Sequence, residues 1–221
     1  MRAVSLLTGL LLPFRGGRPW RTTVLAGLAA GVAACSDGGG PNDGGTTKPP
    51  SELNVVRVAP SSTPLFNPVD SFYALKGEDR EVRISFQDEV GGEGEEYLRL
   101  RVRAGSLRAL PDGSPIAEGD SVLIRVSVSD PAQMLFQFEP TGLSFEPSDP
   151  AELKIHYDHA DGDINDDGVS DTLDDTLERT LAIWRQENPG DPFVRLPSVL
   201  TLETDEANAE LTGFSRYALA Y

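Results

Sequence analysis

Between residues 163 and 174 the chain reads Asp163-Ile164-Asn165-Asp166-Asp167-Gly168-Val169-Ser170-Asp171-Thr172-Leu173-Asp174. Counted from Asp163, oxygen-bearing side chains stand at positions 1, 3, 5, 9 and 12, with glycine at position 6. This is the spacing with which a loop wraps a calcium ion: hard oxygen donors at alternate positions, a sharp bend at the glycine, and a backbone carbonyl from position 7. The expected ligands are Asp163, Asn165, Asp167, Val169 through its carbonyl, Asp171 and Asp174, and the expected cofactor is calcium. Asp166 lies within the same stretch and Asp158, Asp161 and Asp175 flank it, so these carboxylates repel one another unless a cation lies among them.

Other chemistry is sparse. His156 and His159 have the spacing of a zinc pair, but they lack a third imidazole or any nearby thiolate. There is no Gly-x-Ser-x-Gly elbow, no phosphate-binding glycine loop and no His-Glu-x-x-His. The expectation is a protein that binds or assembles and is not an enzyme. The acidic loop resembles those of thrombospondin type-three repeats and dockerins. It departs from the helical EF-hand because residues 153–157 read as a strand entering it, and because aspartate replaces the usual bidentate glutamate at position 12.

The elements around this loop alternate with period two. In residues 80–87, Val82, Ile84 and Phe86 fall on one side; in 97–102, Leu98, Leu100 and Val102 oppose Arg99 and Arg101; in 121–128, Val122, Ile124, Val126 and Val128 are in phase. Such segments are strands with one buried and one wet face. Further strands are expected over 54–59, 71–75, 133–139, 179–185, 192–197, 199–203, 209–214 and 217–221. Turns rich in Gly, Pro, Asp and Asn separate them, including one at 205–208, and a short helical turn is expected after the acidic loop. Arg99, Arg101 and Arg103 are expected to pair with neighbouring carboxylates. The fold class is therefore all-β, an antiparallel β-sandwich with a calcium-type loop inserted.

Three stretches carry a family resemblance: residues 136–145 (Phe-Gln-Phe-Glu-Pro-Thr-Gly-Leu-Ser-Phe), 150–157 (Pro-Ala-Glu-Leu-Lys-Ile-His-Tyr) and 214–218 (Phe-Ser-Arg-Tyr-Ala). They are similar to the β-sandwich domain shared by zonula occludens proteins, ankyrins and netrin receptors, and to bacterial lipoproteins with the same pattern. The resemblance implies an antiparallel sandwich with an interaction role. A related domain, the function-to-find domain, cuts its own chain between Phe and Ser in a His-Phe-Ser motif. Phe214-Ser215 stands at the matching place, but Gly213 replaces the histidine, which removes the group that would move protons. Self-cleavage there and carbohydrate binding through Trp184 and the tyrosines are the alternative readings.

Upstream, Arg15, Arg18 and Arg21 precede an apolar run from Val24 that ends Val32-Ala33-Ala34-Cys35, and Cys35 is the single cysteine. The run resembles a secretory h-region closed by a lipobox, which implies cleavage before Cys35 and lipid on that residue. Residues 1–34 are then a lipoprotein signal peptide and 35–53 a flexible, disordered tether, glycine-rich at first and stiffened by Lys48-Pro49-Pro50. Residues 54–221 form the sandwich domain. Four of the nineteen basic residues and none of the acids lie in 1–34, leaving 15 basic against 35 acidic side chains, a net charge of −20. Nucleic acid is a poor partner for such a surface. The expected partners are the membrane, through lipid on Cys35, and a protein or glycan. The expected location is the cell membrane or outer membrane, facing the periplasm or exterior. Replacing Cys35 by Ser should abolish incorporation of labelled fatty acid; equal labelling of both forms would remove the anchor assignment.

Overall fold

The alternation read from the sequence sorts residues between a dry interior and water, and the computed structural model, which describes residues 45–221, shows where each face points. The expected signal peptide, Cys35 and the first part of the expected tether lie outside the described residues. Among the described residues fourteen strands form, in chain order: β1 (Thr47–Lys48), β2 (Val69–Leu75), β3 (Arg80–Gln87), β4 (Glu93–Val102), β5 (Leu107–Ala109), β6 (Ser121–Asp130) and β7 (Leu135–Glu139). β8 (Ser144–Phe145) and β9 (Ala151–His156) precede the helix α1 (Thr172–Glu178), and β10 (Ala182–Gln186), β11 (Phe193–Arg195), β12 (Ser198–Thr201), β13 (Glu206–Leu211) and β14 (Arg216–Ala220) follow it.

Two large antiparallel sheets result, one ordered β1-β11-β10-β14-β7-β6-β2 and the other β12-β13-β9-β4-β3, with β5 and β8 as a separate pair. Val82, Ile84, Phe86, Leu98, Leu100, Leu153 and Ile155 of the second sheet are buried, as are Ile124, Val126, Phe136, Phe138, Tyr217 and Leu219 of the first, and all belong to one apolar cluster. This is the packing of a β-sandwich, with inward-facing residues of both sheets sharing one core. Edge-on aromatic pairs join its parts: Phe138 with Tyr217 at 5.2 Å and Phe145 with Phe214 at 4.9 Å between ring centroids. Among the described residues no helix is long and apolar enough to cross a membrane.

A second, smaller cluster lies on the opposite side of the first sheet. Leu53, Ala182, Trp184, Phe193, Ala218 and Ala220 meet there, with Leu135 packed against them. Leu135 thus points away from the main core that receives its neighbour Phe136. Residues ahead of the expected boundary at Asn54 are docked on the sandwich: Thr47 pairs with Val194, Lys48 with Phe193, and Leu53 is buried. The polar composition of 45–52 hid this docking, because its partner surface is assembled only when β10, β11 and β14 come together.

Two further elements differ from expectation. Residues 54–59 form no continuous strand, only isolated bridges from Val55, Arg57 and Val58 to Ala220, Gln133 and Ala160. Of the expected turn at 205–208 only Asp205 (φ 49°) lies in a turn; Glu206–Asn208 already belong to β13, where Ala207 pairs with Ile155 and Ala209 with Leu153. Small alanines on its inner side let this strand lie close to the core despite modest strand propensity. The helix and strand expected after the acidic loop are both present as α1 and β10.

Phe138, buried between Phe214 and Tyr217, gives a direct check on the core. Phe138→Ala should lower unfolding free energy by about 3–5 kcal/mol, whereas Leu123→Ala, at an exposed position, should change it by about 0.5 kcal/mol or less. Urea unfolding at equilibrium measures both.

Candidate cation-binding sites

β9 ends at His156, and the chain then passes through the acidic loop before α1. Arg57 anchors the loop's entry. Its guanidinium pairs with Asp161 at 3.3 Å and with Asp166, and it donates to the Asp163 carbonyl at 3.1 Å. The Asp161 amide returns a hydrogen bond to the Arg57 carbonyl at 2.9 Å. Beyond this clamp the backbone turns through two left-handed residues, Asp166 (φ 61°) and Gly168 (φ 90°). Gly168 has open space where a Cβ would stand, so the backbone angle, and not crowding, is what favours glycine there.

Within the loop the expected ligands fold onto backbone amides. Asp163 accepts from Asp167 at 3.1 Å and Gly168 at 2.7 Å, Asn165 Oδ1 accepts from Asp167 at 2.9 Å, and Asp167 accepts from Val169 at 3.0 Å. Asp171 is the N-cap of α1 and accepts from Leu173 at 2.7 Å. Asp174 completes the capping box and is almost fully buried, at 3% exposure. Its carboxylate accepts from the amides of Asp171 (2.8 Å), Ile164 (2.9 Å) and Asn165 (3.2 Å), clasping the start of the loop to the start of the helix. All six expected positions therefore lie in one closed loop, and Asp174 acts in it as the clasp. The Asp171 amide above all, followed by those of Asn165 and Ile164, holds the Asp174 carboxyl below the usual carboxylate range.

The two histidines part company. His156 points from β9 toward Glu96 (3.3 Å) and Glu206 (3.7 Å). His159 instead brings Nε2 to within 2.9 Å of Glu95 Oε2 and stacks its ring on Phe86, with centroids 3.9 Å apart and planes inclined by 23°. Asp158 joins them: one ligand atom from each of Glu95, Asp158 and His159 lies within 4.8 Å of the others. This cluster could hold a divalent ion. Sequence reasoning missed it because Glu95 is 64 residues from His159 and lies between the stretches expected as strands at 80–87 and 97–102. Pairing of β4 with β9 brings the two together.

Elsewhere the arginines of β4 and its end behave as expected. Arg99 pairs with Glu96 at 3.5 Å, Arg101 with Glu152 at 3.6 Å and Asp79, and Arg103 with Asp149 at 3.5 Å and Glu152. Arg99, Arg101 and Lys154 also line a groove of about 760 Å³ that reaches Pro147, Val199 and Asn208.

At the place compared with a self-cleavage site, Phe214 is a core ring and Ser215 is fully buried. The Phe214 carbonyl accepts from the Gly142 amide at 2.9 Å. A Cβ at Gly213 would lie 3.0 Å from the Leu143 carbonyl oxygen, so a histidine there would press on backbone. Both histidine rings have their contacts elsewhere, with Glu96, Glu206, Glu95 and Phe86. Trp184 is buried and donates Nε1–H to the Ala220 carbonyl at 3.1 Å, which leaves no exposed indole face for a sugar.

Comparison with known proteins gives no match to this chain among family models, curated proteins or solved structures.

Asp174 makes loop stability depend on pH with a definite sign. A carboxyl depressed in the folded state stabilises above its unfolded value, and that contribution is lost as pH falls through the folded value. Asp174→Asn should therefore melt below wild type at neutral pH, with the gap closing as pH drops below the ordinary carboxylate range. Melting temperatures of both forms from neutral to acid pH test this, and a gap independent of pH would assign the effect to shape alone.

Proposed function

We propose that this chain is a lipid-anchored module of the bacterial cell envelope, stabilised by calcium in the 163–174 loop, that works by binding or assembly and not by catalysis. The observation that carries the calcium reading is the closed loop: Asp163 spans the amides of Asp167 and Gly168 at 3.1 and 2.7 Å, and Asn165 and Asp167 make the next turns. An ionised carboxylate has about four lone-pair sites. A bond to one loop amide therefore leaves acceptor capacity for a cation. Arg57 and Asp174 hold the two ends of the loop, which lowers the ordering cost that binding must meet.

The ligands would be Asp163, Asn165, Asp167, the Val169 carbonyl and Asp171. Calcium tolerates variable geometry and six to eight oxygens, which suits carboxylates already shared with amides; magnesium demands a tighter octahedron. Lipid on Cys35 would hold the module at the membrane, and the glycine-rich start of the tether would give it reach. A protein partner is the better supported class. The groove beside Arg99, Arg101 and Lys154 mixes charge with Pro147 and Val199, whereas of the rings a sugar platform could use Trp184 is buried and Tyr73 is exposed.

The full chain, purified in detergent, should melt at higher temperature as calcium is added. At free calcium 100 times the dissociation constant the gain should approach about 2.7 kcal/mol. Asp163→Ala and Asp167→Ala should blunt that response, and magnesium should substitute poorly. An identical calcium response in all three proteins would reduce the loop to a solvated acidic turn.

A further inference from the structure

We propose that Glu95, Asp158 and His159 form a second metal site, separate from the acidic loop and selective for a first-row divalent transition ion of the zinc type. The β4–β9 register sets its geometry. Leu98 pairs with Ile155, and just past that last pair Glu95, three residues before Leu98, and Asp158, three residues after Ile155, bring their carboxylates within 4.8 Å of each other. His159 follows immediately, with its ligand atom 2.9 Å from that of Glu95. A tetrahedral ion with bonds of about 2.0–2.1 Å needs ligand atoms about 3.3 Å apart. All three atoms already lie within 4.8 Å of one another. Glu95, 73% exposed at its side chain, is free to make the remaining adjustment.

The imidazole is held in place on the side away from solvent. Its ring lies on Phe86, itself packed against Tyr97 at 4.7 Å. The His159 carbonyl accepts from the Ala59 amide at 2.9 Å and Ser62 Oγ at 3.2 Å. A ring whose plane is fixed by stacking, on a backbone fixed by two hydrogen bonds, loses little freedom on ligating a metal.

Charge points the same way. On the outer face of the second sheet, arginine and lysine neutralise the carboxylates. Among the described residues neither arginine nor lysine pairs with Glu95 or Asp158; the partner of Glu95 is His159.

The donor set names the class of ion. One imidazole nitrogen with two carboxylates suits zinc and its first-row neighbours, while calcium and magnesium prefer oxygen throughout. Three protein ligands leave a fourth position for water. The bound ion would staple the start of β4 to the turn after β9, at the end of the sandwich where Phe86 closes the core.

The test uses the full chain in detergent, stripped of metal by a chelator and then held in saturating calcium so that the 163–174 loop is occupied. Titration with Zn²⁺ should show one equivalent bound, and Co²⁺ should give a visible absorption band reporting nitrogen and oxygen ligation. His159→Gln and Glu95→Gln should each weaken zinc binding by about tenfold or more, at least the loss that follows removal of an outer partner of a ligand. Glu95 is exposed, so its variant folds even if the His159 variant does not. His156→Gln and Asp163→Ala should bind zinc as wild type does, which separates this site from both the outer face and the acidic loop. The proposal is overturned if wild type binds no zinc, if Glu95→Gln binds it undiminished, or if calcium displaces it at comparable concentration.

Discussion

β4 and β9 run antiparallel in the interior of the five-stranded sheet, with Leu98 opposite Ile155 and Leu100 opposite Leu153. These four side chains are almost wholly removed from water, and a slip of one residue would turn them outward and drive Arg99 and Lys154 into the core. Register is therefore held by a penalty on both faces. From that single alignment follow the position of Glu95 beside Asp158, the ion pairs of Arg101 and Arg103 with Glu152, and the direction in which the chain leaves β9 for the acidic loop. β13 then pairs along the other side of β9, from Glu206 opposite His156 to Leu211 opposite Ala151.

Electrostatics explains how so acidic a chain closes a loop dense in aspartate. The loop carboxylates are dispersed onto backbone amides, and Arg57, brought from more than a hundred residues upstream, sits against Asp161 and Asp166. Neighbouring amides offer fixed donors to each carboxylate, which offsets repulsion without a full opposing charge. At the sandwich end the situation differs, since among the described residues Glu95 and Asp158 face an imidazole and no arginine or lysine. A loop whose carboxylates rest on amides and Arg57, and a rim whose carboxylates face an imidazole, are two distinct environments for a cation.

The N-terminal segment shows how tertiary context converts polar sequence into structure. Lys48 lies 5.5 Å from the Trp184 ring centroid, Leu53 enters the smaller apolar cluster, and Thr47 and Lys48 pair with β11. Each contribution is small, and each depends on a surface made by strands more than a hundred residues away. The same packing takes Trp184 from the solvent.

From residue order alone the all-β class, most strands and the inward faces were legible, because alternation such as Val82, Ile84 and Phe86 encodes which side of a strand is dry. The acidic loop was legible for a similar reason: its donors lie within twelve consecutive positions, so local spacing already prescribes the turn. A short helical turn after it was legible too, and the structure adds Asp171 as its cap. What only the tertiary structure decided were relations between distant residues. These include the clamp of Arg57 on the loop, the entry of Ala207 and Ala209 into a strand, and the separation of His156 from His159 onto different neighbours. Period and spacing are carried by the chain itself, whereas the approach of Glu95 to His159 depends on which strands pair and in what register, a choice made by burial of the whole core.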